Sequence, residues 1–314
     1  MRRPNEPLPR PFLKWAGGKR QLLPELLNAV AAAKPFMRYH EPFLGGGALF
    51  FALARTAQLN TTSYLSDVNT SLIEAYLGVR HELEAVLSLL RAHKAKHSEA
   101  HYYVVRGQIP DGLAERAARI IYLNRACYNG LYRENSKGLF NVPFGRHINP
   151  TIADEENLPA VSQTLHSARI EKRDFATVLD IAKSGDLVYF DPPYNPVSDT
   201  AYFTKYSRDD FDAGAQQELA KIFGLLAQRR VKVMLSNSMT EFTRRLYKDH
   251  RIYQVWAPRS VNSMADRRGK VPEALITSFP VKWDATSPAT PTALVAPGVE
   301  TETVLRTNEK TIRF

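Results

Sequence analysis

Hydrophobic positions along the chain recur with two different periods. Short apolar runs rich in β-branched and aromatic residues are typical of strands, and helical patterns lie between several of these runs. This alternation predicts an α/β fold around a mainly parallel sheet. The predicted strands are Arg38–Leu44, Thr62–Ser66, Ala168–Glu171, Leu187–Phe190, Val231–Ser236, Arg251–Trp256 and Leu275–Phe279, and the predicted helices of this part are Lys19–Ala33, Gly47–Ala57, Ala213–Ala227 and Thr240–Tyr247.

One long segment breaks the alternation. It has helical periodicity over Ser71–His93 and Leu113–Tyr128 and then turns rich in Asn, Gly, Pro and aromatic residues, which predicts an inserted, mainly helical subdomain. The chain after Trp283 is rich in Pro, Thr and Ala without periodicity, which is typical of disorder. The predicted division is 1–69 and 159–283 for the sheet domain, 70–158 for the inserted subdomain and 284–314 for a disordered tail.

Charge favours an anionic partner. The 314 residues carry 42 Lys and Arg against 32 Asp and Glu. The excess lies in residues 1–69 and 241–282, each with 9 basic and 4 acidic side chains, while residues 70–240 are nearly neutral. Two basic edges of one surface fit a channel for nucleic acid. A generally basic protein with no nucleic-acid role is the alternative.

Apolar runs and cysteine content argue against a membrane, secreted or disulfide-linked protein. The longest apolar runs are too short to span a bilayer, and the N-terminal residues lack the apolar stretch of a secretion signal. We therefore expect a cytoplasmic protein without a membrane span. The single cysteine, Cys127, excludes an internal disulfide framework and a Cys-rich zinc site, and we expect no bound metal.

The tetrapeptide Asp191-Pro192-Pro193-Tyr194 directly follows the predicted strand Leu187–Phe190. Ligands bind at the carboxyl ends of strands in an open α/β sheet. The prolines lack an N–H, so their carbonyls and the Asp191 carboxylate form a rigid set of acceptors that suits an exocyclic amine, and Tyr194 offers a stacking face for a nucleobase. The alternative is a simple end to the strand.

A second candidate site runs from a strand through Gly45-Gly46-Gly47 into a helix. Glycine allows a ligand to approach the backbone, and Asp67 ends the next strand at a spacing that suits hydrogen bonds to ribose hydroxyls. Leu49 and Phe50 replace the later glycine of a dinucleotide motif, which favours an adenosine ligand without phosphates. An ordinary tight turn is the alternative.

Two further segments combine cations with aromatic residues. Phe12–Arg20 (FLKWAGGKR) places an aromatic wall and two cations where a helix begins, a position that suits a carboxylate. Tyr122–Arg133 and Phe140–Arg146 interleave arginines, amides and aromatic rings, as base reading and stacking require. The alternatives are a basic N-terminal arm and an aromatic hinge between subdomains.

In this order, FLKWAGGK, EPFLGGGALF, the segment YLNRACYNGLYRENSKGLFNVPFGR and DPPY resemble the Dam-type N6-adenine DNA methyltransferases of the D12 class, with their alpha-type order of motifs. The resemblance covers about residues 11–280. It implies a Rossmann-like sheet that uses S-adenosylmethionine, with an inserted subdomain that recognises double-stranded DNA. It also implies a monomer that methylates a flipped-out adenine, with GATC as the expected target.

The resemblance also implies roles for individual residues. Asp191, Pro192 and Tyr194 match the catalytic residues around the target adenine. Tyr132, Ala126-Cys127 and the tail after Trp283 depart from the family pattern. The residues implied to bind the cofactor are Trp15, Lys19, Phe43, Gly45, Gly47, Asp67, Phe175 and Asp191, and those implied to bind DNA are Lys14, Tyr128, Asn129, Leu131, Arg133, Pro143 and Arg146.

Other functions remain open at this point. The chain could methylate adenine in another DNA sequence or in RNA, or it could be a DNA-binding regulator that has lost catalysis. A nicotinamide dehydrogenase is the alternative at the level of the fold, and the incomplete glycine motif argues against it.

Overall fold

The computed structural model describes residues 7–15, 17, 19, 21–59, 61–194, 211–258, 270–283 and 292–294. Its strands form one sheet in the order β3-β2-β1-β4-β5-β7-β6-β8. Strands β1 to β5 are parallel to one another, whereas β7 is antiparallel to both β5 and β6. The strands are β1 Tyr39–Glu41, β2 Ser63–Asp67, β3 Ala168–Lys172, β4 Leu187–Phe190, β5 Lys232–Ser238, β6 Arg251–Pro258, β7 Lys270–Thr277 and β8 Thr292–Leu294.

Helices cover both faces of this sheet, which confirms the predicted α/β class. The chain order reverses between β1 and β4, and this switch point opens a crevice at their carboxyl ends. The described helices are α1 Leu23–Ala33, α2 Ala48–Arg55, α3 Thr70–His81, α4 Leu83–Ala95, α5 Glu99–Gly107, α6 Leu113–Ala126, α7 Asn157–Leu165, α8 Val178–Ile181, α9 Ala213–Gln228 and α10 Glu241–Leu246.

The predicted helix over Ser71–His93 is in fact two helices. Glu82 separates α3 from α4 with a backbone φ of −130°. Its carboxylate accepts a hydrogen bond of 3.1 Å from the N–H of Ala114, in the first turn of α6. The contact satisfies a free N–H at the start of α6, so the break depends on a helix that lies 32 residues away.

The inserted helices share a core with the sheet. Tyr76 of α3 and Tyr122 of α6 are fully buried in the same hydrophobic cluster as Leu65 of β2. Helix α3 packs against β2 and β3 as well as against α6. The division at residue 70 therefore stays a prediction, but the shared core holds the inserted helices firmly against the sheet.

The tail prediction needs a correction over three residues. Thr292–Leu294 forms β8 and pairs antiparallel with β6, from Ile252 to Gln254. An edge strand offers unpaired N–H and C=O groups, which any extended segment can satisfy whatever its hydrophobic pattern. The rest of 284–314 lies outside the described residues. Within the described part of the chain, no helix is both long and apolar enough to cross a bilayer.

Candidate active site

The buried strand β4 delivers Asp191 to the crevice at the switch point. Its Oδ1 lies 2.8 Å from Nζ of Lys19, whose side chain is only 6% exposed. Burial raises the pKa of Asp191, and the neighbouring ammonium of Lys19 opposes that rise. Lys19 also donates a 2.6 Å hydrogen bond to the carbonyl of Gly17, which fixes the direction from which it approaches the carboxylate.

Tyr194 lies next to Asp191 and Lys19, and we call these three residues together with Pro192 and Pro193 the corner of the crevice. The Nζ of Lys19 lies 4.2 Å from the centroid of the Tyr194 ring, in a cation–π contact. The hydroxyl donates a 2.5 Å hydrogen bond to Oε2 of Glu273 on β7. Burial, and then the carboxylates of Asp191 and Glu273, raise the pKa of Tyr194. Sequence analysis missed Glu273, because no motif links it to Tyr194, 79 residues away.

The two proline carbonyls are not equivalent, contrary to the sequence prediction of a joint acceptor cluster. The amide of Gln216 donates a 3.1 Å hydrogen bond to the Pro193 carbonyl and accepts a 2.9 Å hydrogen bond from Asn237. Gln216 and Asn237 are each 1% exposed. Among the described residues no donor reaches the Pro192 carbonyl, so Asp191 and Pro192 are the acceptors left for a ligand.

The Gly-rich turn positions Asp67 and Trp15. The backbone N–H groups of Gly45 and Asn69 each donate a 3.0 Å hydrogen bond to the carboxylate of Asp67. Burial raises the pKa of Asp67, and these N–H groups oppose the rise. Gly45 has a φ of +47°, and a Cβ there would lie 3.0 Å from the Trp15 ring. Gly47 precedes α2 with a φ of +64°.

These residues surround a cavity of about 1170 Å³. Phe43 and Phe175 stack with centroids 5.2 Å apart, and Phe211 meets both rings edge-on at 5.5 Å. Gly45 and Gly47 do not line the cavity, but a Cβ on Gly45 would meet the lining residue Trp15. Of the cofactor residues implied by the resemblance, the cavity brings together Trp15, Lys19, Phe43, Asp67, Phe175 and Asp191.

The cavity is strongly acidic. Its described lining holds five carboxylates, those of Asp67, Glu134, Asp174, Asp191 and Glu218, and one ammonium, that of Lys19. A pyrophosphate would meet repulsion here, whereas a ligand with a positive centre would be attracted. The sequence prediction of a nucleoside ligand without phosphates agrees with this charge.

A second surface of the molecule carries the residues implied to bind DNA. Tyr128 and Leu131 are 54% and 45% exposed, although large apolar side chains are ordinarily buried. Asn129 stands out beside them with a φ of +54°. The remaining predicted DNA-binding residues, Lys14, Arg133, Pro143 and Arg146, are also exposed.

Buried groups hold this surface from behind. Asn124, fully buried in α6, accepts a 2.7 Å hydrogen bond from the N–H of Lys14 and donates to the carbonyls of Lys14 and Gly130. Arg125 donates two hydrogen bonds to the carbonyl of Phe12. The segment Tyr122–Arg133 is therefore divided, with a buried first half that packs in the core and an exposed second half.

The two departures from the family pattern lie on the inner side of this surface. Cys127 is fully buried, and burial raises the pKa of its thiol to about 11. Tyr132 stacks on Trp15 with centroids 4.7 Å apart. Neither side chain belongs to the exposed surface. Cys127 is part of the packed interior, and Tyr132 packs against Trp15, which lines the cavity.

Three parts of the sequence predictions lie outside the described residues. These are Ala16, Gly18 and Arg20 of the first motif, the basic residues within 259–269, and most of the tail. The predicted basic edges of the surface therefore stay a prediction.

Comparisons with known proteins agree with this geometry. The profile of the D12 class N6 adenine-specific DNA methyltransferases matches residues 15–261. The type II methyltransferase M1.LlaDCHI of Lactococcus lactis subsp. cremoris is 40% identical over 278 residues, which cover 86% of this chain and 95% of that protein.

Two other relatives come from distant organisms. The type II methyltransferase M.MjaIII of Methanocaldococcus jannaschii is 38% identical, covering 82% of this chain and 95% of its own length. The DNA adenine methylase of Escherichia coli (strain K12) is 34% identical, covering 85% and 94%. Together with the motifs and the switch-point cavity, these matches show that the chain belongs to the D12 class of N6 adenine-specific DNA methyltransferases.

Proposed function

We propose that this enzyme transfers a methyl group from S-adenosylmethionine to N6 of an adenine flipped out of duplex DNA, with GATC as its target. The observation that carries the proposal is the acidic cavity that ends at Asp191, Pro192 and Tyr194. A cation with an adenosine part fits its charge and its aromatic lining, and an amine fits its two acceptors.

Each part of the cavity suits one part of this cofactor. Asp67 is placed to accept hydrogen bonds from ribose hydroxyls, and Phe43 and Phe175 offer apolar faces to the adenine ring. Lys19 supplies a positive charge for the carboxylate of the methionine part, and Trp15 lines the cavity beside Lys19. When bound, S-adenosylmethionine supplies a methyl group on a positively charged sulfur, which keeps the electron pair of the broken bond.

The chemical task of the protein is to make the adenine amine nucleophilic. Its nitrogen lone pair is conjugated with the ring, so the free base is a poor nucleophile. Asp191 Oδ2 and the Pro192 carbonyl would accept the two amino hydrogens and favour a pyramidal nitrogen whose lone pair points toward the methyl group. As the N–C bond forms, the surplus proton on nitrogen passes to Asp191 and from there to solvent.

Lys19 supports this step. Burial alone would favour a protonated Asp191, which would donate rather than accept a hydrogen bond. The ammonium at 2.8 Å favours the carboxylate and occupies Oδ1, which leaves Oδ2 for the base.

Reaching a paired base costs a few kcal/mol of unstacking, of which stacking on Tyr194 would recover part. Tyr128 and Asn129 are exposed, and we assign to them the entry into the space that the flipped base vacates. We assign base reading to Arg133, Leu131 and Pro143, and contacts to the outer guanine and the backbone to Lys14 and Arg146.

The rival functions predict different outcomes in one experiment. The full chain is incubated with tritiated S-adenosylmethionine and one of four substrates: a GATC duplex, a duplex with the same bases permuted, a single strand, or RNA. We expect label in the GATC duplex alone, at N6 of adenine after digestion. Label in the permuted duplex or the RNA would overturn the target, and binding of DNA without label in any substrate would favour the catalytically silent regulator.

A further inference from the structure

A short hairpin joins the two surfaces described above. We call residues 131–141 the recognition hairpin, because Arg133 and Leu131 belong to it. Glu134 and Phe140 form an antiparallel bridge, and the N–H of Asn141 donates a 2.9 Å hydrogen bond to the carbonyl of Arg133. The hairpin therefore has the geometry of two paired strand ends.

Residues 131–134 form the first arm of the hairpin, a short strand outside the main sheet with a single bridge, at Glu134. Its side chains alternate between two sides. Leu131 and Arg133 are exposed on one side, while Tyr132 and Glu134 are half-buried on the other. Successive side chains of a strand point to opposite faces. Arg133 faces the surface that we assign to DNA, where its Nε donates a 2.7 Å hydrogen bond to Oδ1 of Asn141.

The inner side of the strand reaches the cofactor cavity. Tyr132 stacks on Trp15 at 4.7 Å, with an angle of 30° between the rings, and its hydroxyl donates a hydrogen bond to the Glu134 carboxylate. Glu134 and Gly138 both line the cavity. Burial, and then Glu134, raise the pKa of Tyr132 to about 12, so its hydroxyl keeps the proton with which it holds Glu134.

We propose that Tyr132 holds the Glu134 carboxylate in the wall of the cofactor cavity, where its negative charge favours a positively charged ligand. We also propose that this pair couples cofactor binding to DNA recognition. The inference rests on the proposed function. The cofactor carries one net positive charge, whereas its demethylated product, S-adenosylhomocysteine, carries none. A carboxylate in the wall therefore favours the substrate form over the product form.

The same strand carries the coupling. A cation that attracts Glu134 draws the strand toward the cavity and thereby sets the position of Arg133 on the other face. Coupling between two sites is reciprocal. If bound cofactor tightens DNA binding by a given factor, a bound duplex must tighten cofactor binding by that same factor.

Calorimetry on the full chain tests this inference. Dissociation constants of S-adenosylmethionine and S-adenosylhomocysteine are measured for the wild type, Glu134→Gln and Tyr132→Phe, each with and without a GATC duplex. Both target adenines of this duplex already carry N6-methyl groups, so that no methyl transfer takes place during the titration. Glu84→Gln, an exposed site on α4, is the control for the same loss of charge.

We expect Glu134→Gln to weaken binding of S-adenosylmethionine about tenfold and to change binding of S-adenosylhomocysteine less than twofold. Both hairpin variants should also reduce the factor by which the duplex tightens cofactor binding, whereas Glu84→Gln changes nothing. Equal losses for the two ligands, or no loss for either, would overturn the inference. A wild type that binds neither ligand would overturn the proposed function instead, so the two failures are distinguishable.

Discussion

The corner around Asp191 and the surface around Arg133 are built in opposite ways. At the corner, contacts from several elements meet, because α9 and β5 hold Pro193 through Gln216 and Asn237 and β7 holds Tyr194 through Glu273. The surface around Arg133, which we propose faces DNA, has exposed side chains, and the buried Asn124 and the half-buried Arg125 hold the backbone beneath it.

This difference matches two physical tasks. Methyl transfer depends on geometry within tenths of an ångström, so groups that align the amine must lose their freedom before the substrate arrives. Side chains that read bases gain their partners only in the complex, so exposure before binding costs little. Changes at the corner should therefore affect rate, and changes at the surface should affect selectivity.

Substitution of Asp191 should have the largest effect. Asp191→Ala removes an acceptor for the adenine amine, and we expect methyl transfer to fall by about 10³-fold or more. Affinity for a GATC duplex should stay within about twofold. Single-turnover kinetics and a binding titration measure the two quantities.

Asp180→Ala, at an exposed carboxylate on α8, is the matched control and should keep the full rate. A near-normal rate in Asp191→Ala would contradict the role assigned to this residue.

Substitution of Arg133 should affect selectivity for the target sequence. Arg133→Ala removes a guanidinium that we propose donates hydrogen bonds to a base. We expect the loss to reduce discrimination against a duplex with one altered base pair by about 1–3 kcal/mol. Competition between GATC and singly altered duplexes measures this quantity. Arg55→Ala, at an exposed arginine on α2, should leave discrimination unchanged. An equal loss of affinity for all duplexes would assign Arg133 to the DNA backbone.

Gln216→Leu should test whether the brace behind Pro193 matters. It removes the hydrogen bonds that Gln216 makes with Asn237 and with the Pro193 carbonyl, at an expected cost of about 1–3 kcal/mol in the free energy of unfolding. Denaturant titration measures this cost, and methyl transfer should slow while duplex affinity is retained.

Gln217→Leu, the exposed neighbour on the same helix, is the control. If both variants were equally stable and equally active, the rigid-corner interpretation would be wrong.

The last effect concerns the pH dependence of stability. Glu41 of β1 is 2% exposed and accepts a 2.7 Å hydrogen bond from Tyr39, and burial raises its pKa to about 8. Between pH 4.5 and 8 the folded state keeps a proton that the unfolded state has lost. Glu41 therefore makes stability fall as pH rises through this window, by at most about 1.4 kcal/mol per pH unit.

Glu41→Gln should flatten this dependence, which thermal unfolding between pH 6 and 9 would show. Parallel curves for the two proteins would contradict the raised pKa.

Much of the sheet was predictable because strands and buried runs leave a local trace. All seven strands expected from the sequence are present, with ends that differ by a few residues. Their order was not predictable in full, because β7 enters between β5 and β6 through pairing that no local pattern records. Helices α5, α7 and α8 were not predicted. In α5 the apolar residues Tyr102–Val105 are contiguous, so they do not show the i, i+3, i+4 spacing by which a helix is recognised in a sequence.

The candidate site shows the same division. Asp191, Tyr194 and Asp67 were found because they follow strands in recognisable motifs, and the cavity brings them together as expected. In the sequence, Tyr132 is only a departure from the family pattern, and no motif marks Glu134. Their role in the cavity wall depends on a stacking contact with Trp15, more than a hundred residues away along the chain.

By itself, the sequence determined the fold class and the family and pointed to the residues that we propose carry the chemistry, because burial periodicity and short motifs are local properties. Only the tertiary structure decided that the Pro193 carbonyl accepts a hydrogen bond while no donor among the described residues reaches the Pro192 carbonyl, and that Glu273 holds Tyr194. It also placed Tyr132 and Glu134 beside the cavity while Arg133 between them is exposed. Those facts depend on contacts between distant segments, which arise when the helices and the sheet pack together.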